Sequence, residues 1–290
     1  MKAILFCRHP YSFDILKPIR DALLNKHHDF IWYVHKEIEN AFPYKNDDYS
    51  TSVKALKTID SQAVFVPGNA VPHYLKGVKV QVFHGLAGEK KSHFKIRHYF
   101  DLYLTQGPYF TRKFEALKNK YGNFEVAETG WSKLDLFHTD FQKIQQKKSL
   151  LLKANHAEKI ILYAPTFSPS LSSAPNLLHP LRALAQNKQY LILIKFHDLM
   201  RTEWINEYKK LASETDNIIY VEERNVIPSM KLADIMVSDT SSVVYEFLLL
   251  NKPVITFRSK SENISWEDEV NFDRLAELVE KNLQLDPYKK

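Results

Sequence analysis

The chain has 290 residues, 44% hydrophobic and 26% charged, with a formal net charge of +6 and one cysteine. That length admits two domains at the usual ~100–200 residues each, and the composition is that of a globular protein able to bury a full core. It excludes a membrane-spanning helix, since no stretch approaches the ~18–20 uncharged apolar residues one requires, and an internal disulfide framework, since Cys7 stands alone.

The opening run MKAILFC is cut off by Arg8, His9 and Pro10 before it reaches signal-peptide length, so a cytoplasmic location is expected. Cys7 itself reads as a buried strand-end thiol. Taken in chain order, strand-like apolar runs occur at 2–7, 30–35, 63–66, 78–83 and 101–104, then at 160–164, 190–195, 218–221, 235–237 and 253–257. Between them, residues 12–26, 107–120, 177–188, 202–214 and 241–250 space their apolar side chains as helices do. Strands alternating with helices predict parallel sheets covered on both faces. Residues 138–158 hold no strand and carry a basic, Gln-rich face, which marks a linker helix at 141–158 between a first domain 1–140 and a second 159–290. The final stretch, 266–285, is acidic and leucine-rich, and a helix packing back across the domain boundary is expected there.

Charge divides unevenly between the halves. Residues 1–150 carry 23 Lys+Arg against 15 Asp+Glu, and residues 151–290 carry 17 against 19. A basic first half favours an anionic partner such as a phosphorylated acceptor, a lipid head-group layer or nucleic acid, with a solvated lysine-rich surface as the plainer alternative.

Doubly wound domains facing one another hold ligands where the carboxyl ends of parallel strands converge, so chemistry is sought directly after strands. After the strand IMV comes Ser238-Asp239-Thr240-Ser241-Ser242, where a helix start and three hydroxyls suit a phosphate; plain N-capping would need only one of them. Glu246, one turn on, is placed to reach a ribose hydroxyl or to sit on a solvated helix face. The strand LILI runs into Lys195 and His197, which strand alternation would aim to one side, where they could neutralise a phosphate or simply mark a strand end. Tyr163-Ala164-Pro165-Thr166 ends another strand and turns Thr166 toward the cleft. In QVFHGLAGEKK, Gly85 and Gly88 permit a sharp turn that leaves His84 at a strand end, as a general base or as an ordinary terminal histidine. Dinucleotide and Walker glycine fingerprints are missing, no convincing metal-ligand set is present, and no nucleic-acid recognition motif accompanies the basic half.

In combination these elements resemble the CDP-glycerol glycerophosphotransferase family of cell-envelope polymer enzymes. The likeness is carried by His84-Gly85 with Lys90 and Lys91, Thr105-Gln106-Gly107, residues 129–135 (TGWSKLD), residues 163–167 (YAPTF), Lys195-x-His197, Ser238 to Ser242, Ala233-Asp234 and residues 251–254 (NKPV). It implies a metal-independent GT-B-type fold without cofactor, made of an acceptor-side first domain and a donor-nucleotide-binding second one. His84 and His197 would be the catalytic histidines. Gly85, Thr166, Lys195, Asp239, Thr240, Ser241, Ser242 and Glu246 would serve the donor, and Lys90 and Lys91 the acceptor. The implied donor is a CDP-linked alcohol. Its polyol phosphate would pass to an anionic or lipid-linked glycan acceptor, releasing CMP at the inner face of the cell membrane. The sequence departs from the family's usual pattern at Asp198, Thr240 and residues 86–89. A nucleotide-sugar glycosyltransferase or epimerase, and a non-catalytic nucleotide- or glycan-binding subunit, remain open alternatives.

Overall fold

Strand β1 (Lys2–Cys7) sends Ala3, Leu5 and Cys7 into one apolar cluster and Ile4 and Phe6 into another. This strict alternation marks a strand buried on both faces. The computed structural model describes residues 1–86, 88, 91–138, 141–258, 275, 279 and 280, in two compact units, Met1–Thr139 and Asp140–Lys290.

In the first unit β1 is followed by α1 (Ser12–Asn25), β2 (Asp29–Val34), β3 (Tyr49–Ser50), α2 (Val53–Leu56), β4 (Ala63–Val66) and β5 (Val78–Gln81). Then come β6 (Leu102–Thr105), α3 (Pro108–Tyr121) and β7 (Glu125–Glu128). The sheet is parallel, in the order β3-β2-β1-β4-β5-β6-β7. The chain thus builds outward one way from β1 and the other way from β4, and the reversal opens a crevice between their carboxyl ends. On one face Phe13, Ile15 and Leu16 of α1 pack against Trp32, Val34 and Val80. On the other, Phe110 and Phe114 of α3 pack against Val64, Val66 and Tyr103. Helix α3 has Pro108 in its first turn and ends at Gly122 with φ +70°, the usual proline-start and glycine-stop chemistry. Beyond the edge strand β7 the chain returns across the sheet: Trp131 is buried in the α1 cluster, and Ser132 Oγ donates to the Ile15 carbonyl at 2.6 Å.

The second unit holds α4 (Phe141–Ala154), β8 (Lys159–Tyr163), α5 (Ala174–Leu184), β9 (Tyr190–Ile194) and α6 (Thr202–Ser213). It continues with β10 (Ile218–Tyr220), α7 (Ile227–Leu232), β11 (Ile235–Ser238), α8 (Val243–Leu248) and β12 (Val254–Thr256). Its parallel sheet runs β10-β9-β8-β11-β12, with the same reversal, here between β8 and β11. Ile161, Tyr163, Ile192 and Ile194 meet Leu177, Leu181, Tyr208 and Leu211 on one face. Most of 266–285 lies outside the described residues; within it, Leu275 and Val279 are buried in this same cluster of the second unit. Doubly wound α/β architecture is therefore present in both halves, as the alternating pattern predicts. Among the described residues no helix is long and apolar enough to cross a membrane.

Candidate active site

In the first unit, the residues that follow β1, β4 and β5 meet around a pocket of about 440 Å³, lined by Arg8, His9, Tyr11, Asn69, His84 and Arg97 among others. His84 Nδ1 lies 3.1 Å from the Pro67 carbonyl oxygen. A carbonyl only accepts, so Nδ1 bears the hydrogen and the neutral ring has its basic lone pair on Nε2. The loop that supplies this carbonyl is itself tied down: buried Gln81 donates through Nε2 to the Gly68 carbonyl at 3.1 Å and to Asn69 Oδ1 at 2.9 Å. Tyr11 and His93 flank the His84 ring, each with its centroid 5.4 Å away.

The turn that presents His84 is made differently from the sequence expectation. Gly85 needs no left-handed backbone; Phe83 does, with φ +58°. That conformation presses Cβ toward the following carbonyl and costs an L-residue about 1–2 kcal/mol. Packing offsets the cost, because the Phe83 ring is fully buried between Phe110 and Phe114 and its carbonyl accepts from Trp131 Nε1 at 3.4 Å. Gln106 Nε2 then donates to the Gly85 carbonyl at 2.8 Å. Gly88 instead leaves room for Tyr109: a Cβ there would lie 2.7 Å from the exposed ring, which would have to shift. Lys90 lies outside the described residues, and Lys91 opens a short 3-10 turn, Lys91–Phe94. Cys7 is buried, and burial pushes its thiol well above the ordinary value, so it is no nucleophile. His9 titrates below the usual imidazole range through burial and then the charges of Arg8 and His35.

In the second unit, the ends of three adjacent strands β9, β8 and β11 carry His197, Thr166 and residues 239–242. Asp239 spans the reversal between β8 and β11. Its Oδ1 accepts from Thr166 N at 2.8 Å, and its Oδ2 from Ser173 N at 2.8 Å and Ser173 Oγ at 2.9 Å. Both carboxylate oxygens are thus turned onto the loop after β8, and Asp239 acts as its clamp. Burial raises the carboxyl above its ordinary 3.8, while the bonds from Ser173, Thr166 and Ser241 hold it back. Ser238 Oγ adds a bond to the Ala164 carbonyl at 2.6 Å.

Ser242 occupies the N-cap position of α8 but makes no side-chain cap bond. Among the described residues the hydroxyls of Thr240, Ser241 and Ser242 have no protein partner. Helix α8 has only six residues, so an anion here would be held by these hydroxyls more than by a helix dipole. Glu246 is buried, off the solvated face that helical spacing allowed. Strand β9 ends at Ile194, before the period-two pattern can pair Lys195 with His197. Lys195 is buried, its ammonium donating to the Phe196 carbonyl at 2.5 Å and its pKa pushed down by burial. His197 is exposed, its ring 4.5 Å from that of Phe167 and its Nδ1 accepting from Leu199 N at 3.0 Å. Asp198 forms an ion pair with Arg224 at 2.7 Å.

The family model described as CDP-Glycerol:Poly(glycerophosphate) glycerophosphotransferase matches residues 14–279. The chain belongs to this family. Among curated relatives, a teichoic acid glycerol-phosphate primase of Bacillus spizizenii is 36% identical over 107 residues, 34% of this chain and 25% of that one. A teichoic acid poly(glycerol phosphate) polymerase of the same organism is 24% identical over 222 residues, 72% of this glycerophosphotransferase-family chain and 50% of its own. The chain therefore spans between a quarter and a half of these relatives' length. The solved wall teichoic acid polymerase TagF superposes with TM-score 0.66 at 16% identity, covering 98% of this chain and 80% of that one. That likeness confirms the expected GT-B-type fold.

Within this family member, sequence reasoning passed over Arg8, His9, His35, His73, Arg97 and Tyr99, all of which line cavities of the first unit. A signal for three of them existed. Arg8 and His9 directly follow β1 and His35 directly follows β2, the same strand-end position that singled out His84.

Proposed function

We propose that the chain transfers a polyol phosphate from a CDP-linked alcohol to a hydroxyl of a cell-envelope glycan or lipid-linked acceptor. The observation that carries this reading is His84, fixed through Nδ1 at the crevice of the first unit, in a member of a glycerophosphotransferase family. His84 Nε2 takes the proton of the acceptor hydroxyl as that oxygen bonds to the phosphorus bearing the polyol. The bond from this phosphorus to the bridging oxygen breaks, and CMP leaves with the electron pair. Such a reaction is driven by positioning and charge stabilisation.

On the donor side, Thr240, Ser241 and Ser242 offer hydroxyl donors to the diphosphate, and His197, two strands away in the same sheet, adds its imidazole. Lys195 adds positive potential, Glu246 attends the ribose, and Asp239 shapes the site through Thr166. The basic first half supports work at the inner face of the cell membrane on an anionic or lipid-linked acceptor. Incubation with CDP-glycerol, CDP-ribitol and a UDP-sugar, followed by nucleotide chromatography, tests the reading. Release of CMP from a CDP-polyol is expected. A folded protein that leaves both CDP-polyols intact, or turns over only the UDP-sugar, overturns it.

A further inference from the structure

The His84 pocket continues into a second compartment. A cavity of about 380 Å³ shares Phe6, Arg8, Ala70 and Tyr99 with it and runs along the carboxyl edge of the same sheet to His35 and His73. Among the described residues, two guanidiniums and four imidazoles line the pair of cavities, and no carboxylate does. Among the described residues no carboxylate pairs with Arg8 or Arg97; the Arg97 guanidinium donates to the Lys95 carbonyl at 3.1 Å. At the far end His35 Nδ1 lies 3.7 Å from the carboxylate of the exposed Glu37.

Positive groups gathered in a recess between apolar walls, here Phe6 and Val71, focus potential and concentrate anions there. A planar guanidinium at the junction of two cavities matches a phosphate by two parallel N–H···O bonds, and imidazoles add donors without demanding full charge. A carboxylate would satisfy the charge equally. The recess, however, presents donors from several strand ends around its opening, which suits a tetrahedral group with several oxygens.

We propose that this second compartment is an anion subsite for a phosphate ester carried by the acceptor, with Arg8 at the junction and His35 and His73 beyond it. The assignment to the acceptor rests on the reading of His84 as the base. In this arrangement the attacking hydroxyl reaches His84 while a phosphate behind it is held by Arg8.

The test is titration calorimetry on the full chain with glycerol 3-phosphate, with glycerol as the neutral control and phosphatidic acid vesicles as the lipid-borne source. Wild type is expected to bind one of the phosphorylated probes and to bind glycerol at least about tenfold more weakly, as loss of a charge-assisted contact implies. Arg8→Gln weakens the phosphorylated probe about tenfold, Arg8→Lys recovers part of the loss, and His73→Gln gives a smaller loss. If Arg8→Gln melts early, Arg97→Gln carries the same comparison from the other side of the junction. His84→Ala leaves phosphate binding in place while lowering CMP release about 10²–10⁴-fold. Equal binding of glycerol and both phosphorylated probes, or unchanged binding in folded Arg8 and Arg97 variants, overturns the subsite even if CMP is released. Arg8-dependent phosphate binding without any CMP release upholds the anion site and removes the transferase reading instead.

Discussion

His84 Nδ1 and the Pro67 carbonyl oxygen lie 3.1 Å apart, joining residues 17 apart in the chain at the ends of neighbouring strands β4 and β5. This bond selects the tautomer and the direction of the ring together. Replacing His84 by Ala is expected to lower CMP release by about 10²–10⁴-fold, the usual worth of a general base. His84→Gln, which can keep a donor to Pro67, is expected to be equally inactive. Steady-state rates with CDP-glycerol, beside thermal melts to confirm folding, decide the matter. A Gln variant with wild-type turnover would mean that the ring is only structural.

Phe83 sets up an unusual order of variants. Truncating a buried Phe costs about 3–5 kcal/mol, and glycine is normally the worse replacement, by ~0.5–1 kcal/mol relative to alanine. Here φ is +58°, so alanine keeps the backbone strain and glycine relieves it. Phe83→Gly is expected to be more stable than Phe83→Ala by about 1 kcal/mol, as read from urea unfolding midpoints. The reverse order would remove the strain from the account of the His84 turn.

Asp239→Asn changes shape little but removes one acceptor oxygen. With Thr166 N and both Ser173 donors presently satisfied by the two carboxylate oxygens, the amide group of Asn must face a donor. One buried N–H left without an acceptor costs about 1–3 kcal/mol. Chemical denaturation should show that loss in the second unit, and hydrogen exchange should show faster exchange at Ser173. Wild-type protection at Ser173 would contradict the clamp.

Lys252 predicts a pH effect. Its ammonium donates to the carbonyls of Met230, Lys231 and Ala233 at 3.3, 2.8 and 2.5 Å, across the end of α7. Burial, and then the charge of Lys148, lower its pKa from 10.5 to about 8. A base depressed in the folded state loses its proton there first. Between pH 8 and 10.5 the unfolded chain therefore binds more protons, and stability through this group rises with pH. Unfolding free energies of wild type and Lys252→Met should diverge in favour of wild type across that window. A constant difference would count against the shift.

The central strands were legible because burial on both faces leaves an apolar run. The edge strands of the first sheet were not: β3 is two residues long, and β7 reads Glu-Val-Ala-Glu, half-exposed at the border of its sheet. The short α7, with Pro228 in its first turn, has too few turns to show a period. For the site, position after a strand marked His84, Thr166, His197 and Asp239. It did not disclose that Asp239 is occupied by partners 66 and 73 residues away, nor that Phe83 rather than Gly85 makes the turn. Those facts depend on tertiary partners, which no local spacing encodes.

The return of the chain from β7 onto α1 also sets when the first unit can be completed during synthesis. Ser132 and Ile15 are 117 residues apart. At ~5–20 residues per second, α1 waits about 6–23 s for its last neighbours. Until Trp131 emerges from the ribosome, the apolar side of α1 beside Phe13 and Leu16 stays incomplete. The tryptophan that ends this interval is the one bonded to the Phe83 carbonyl, so closure of the α1 face and fixing of the His84 turn come together.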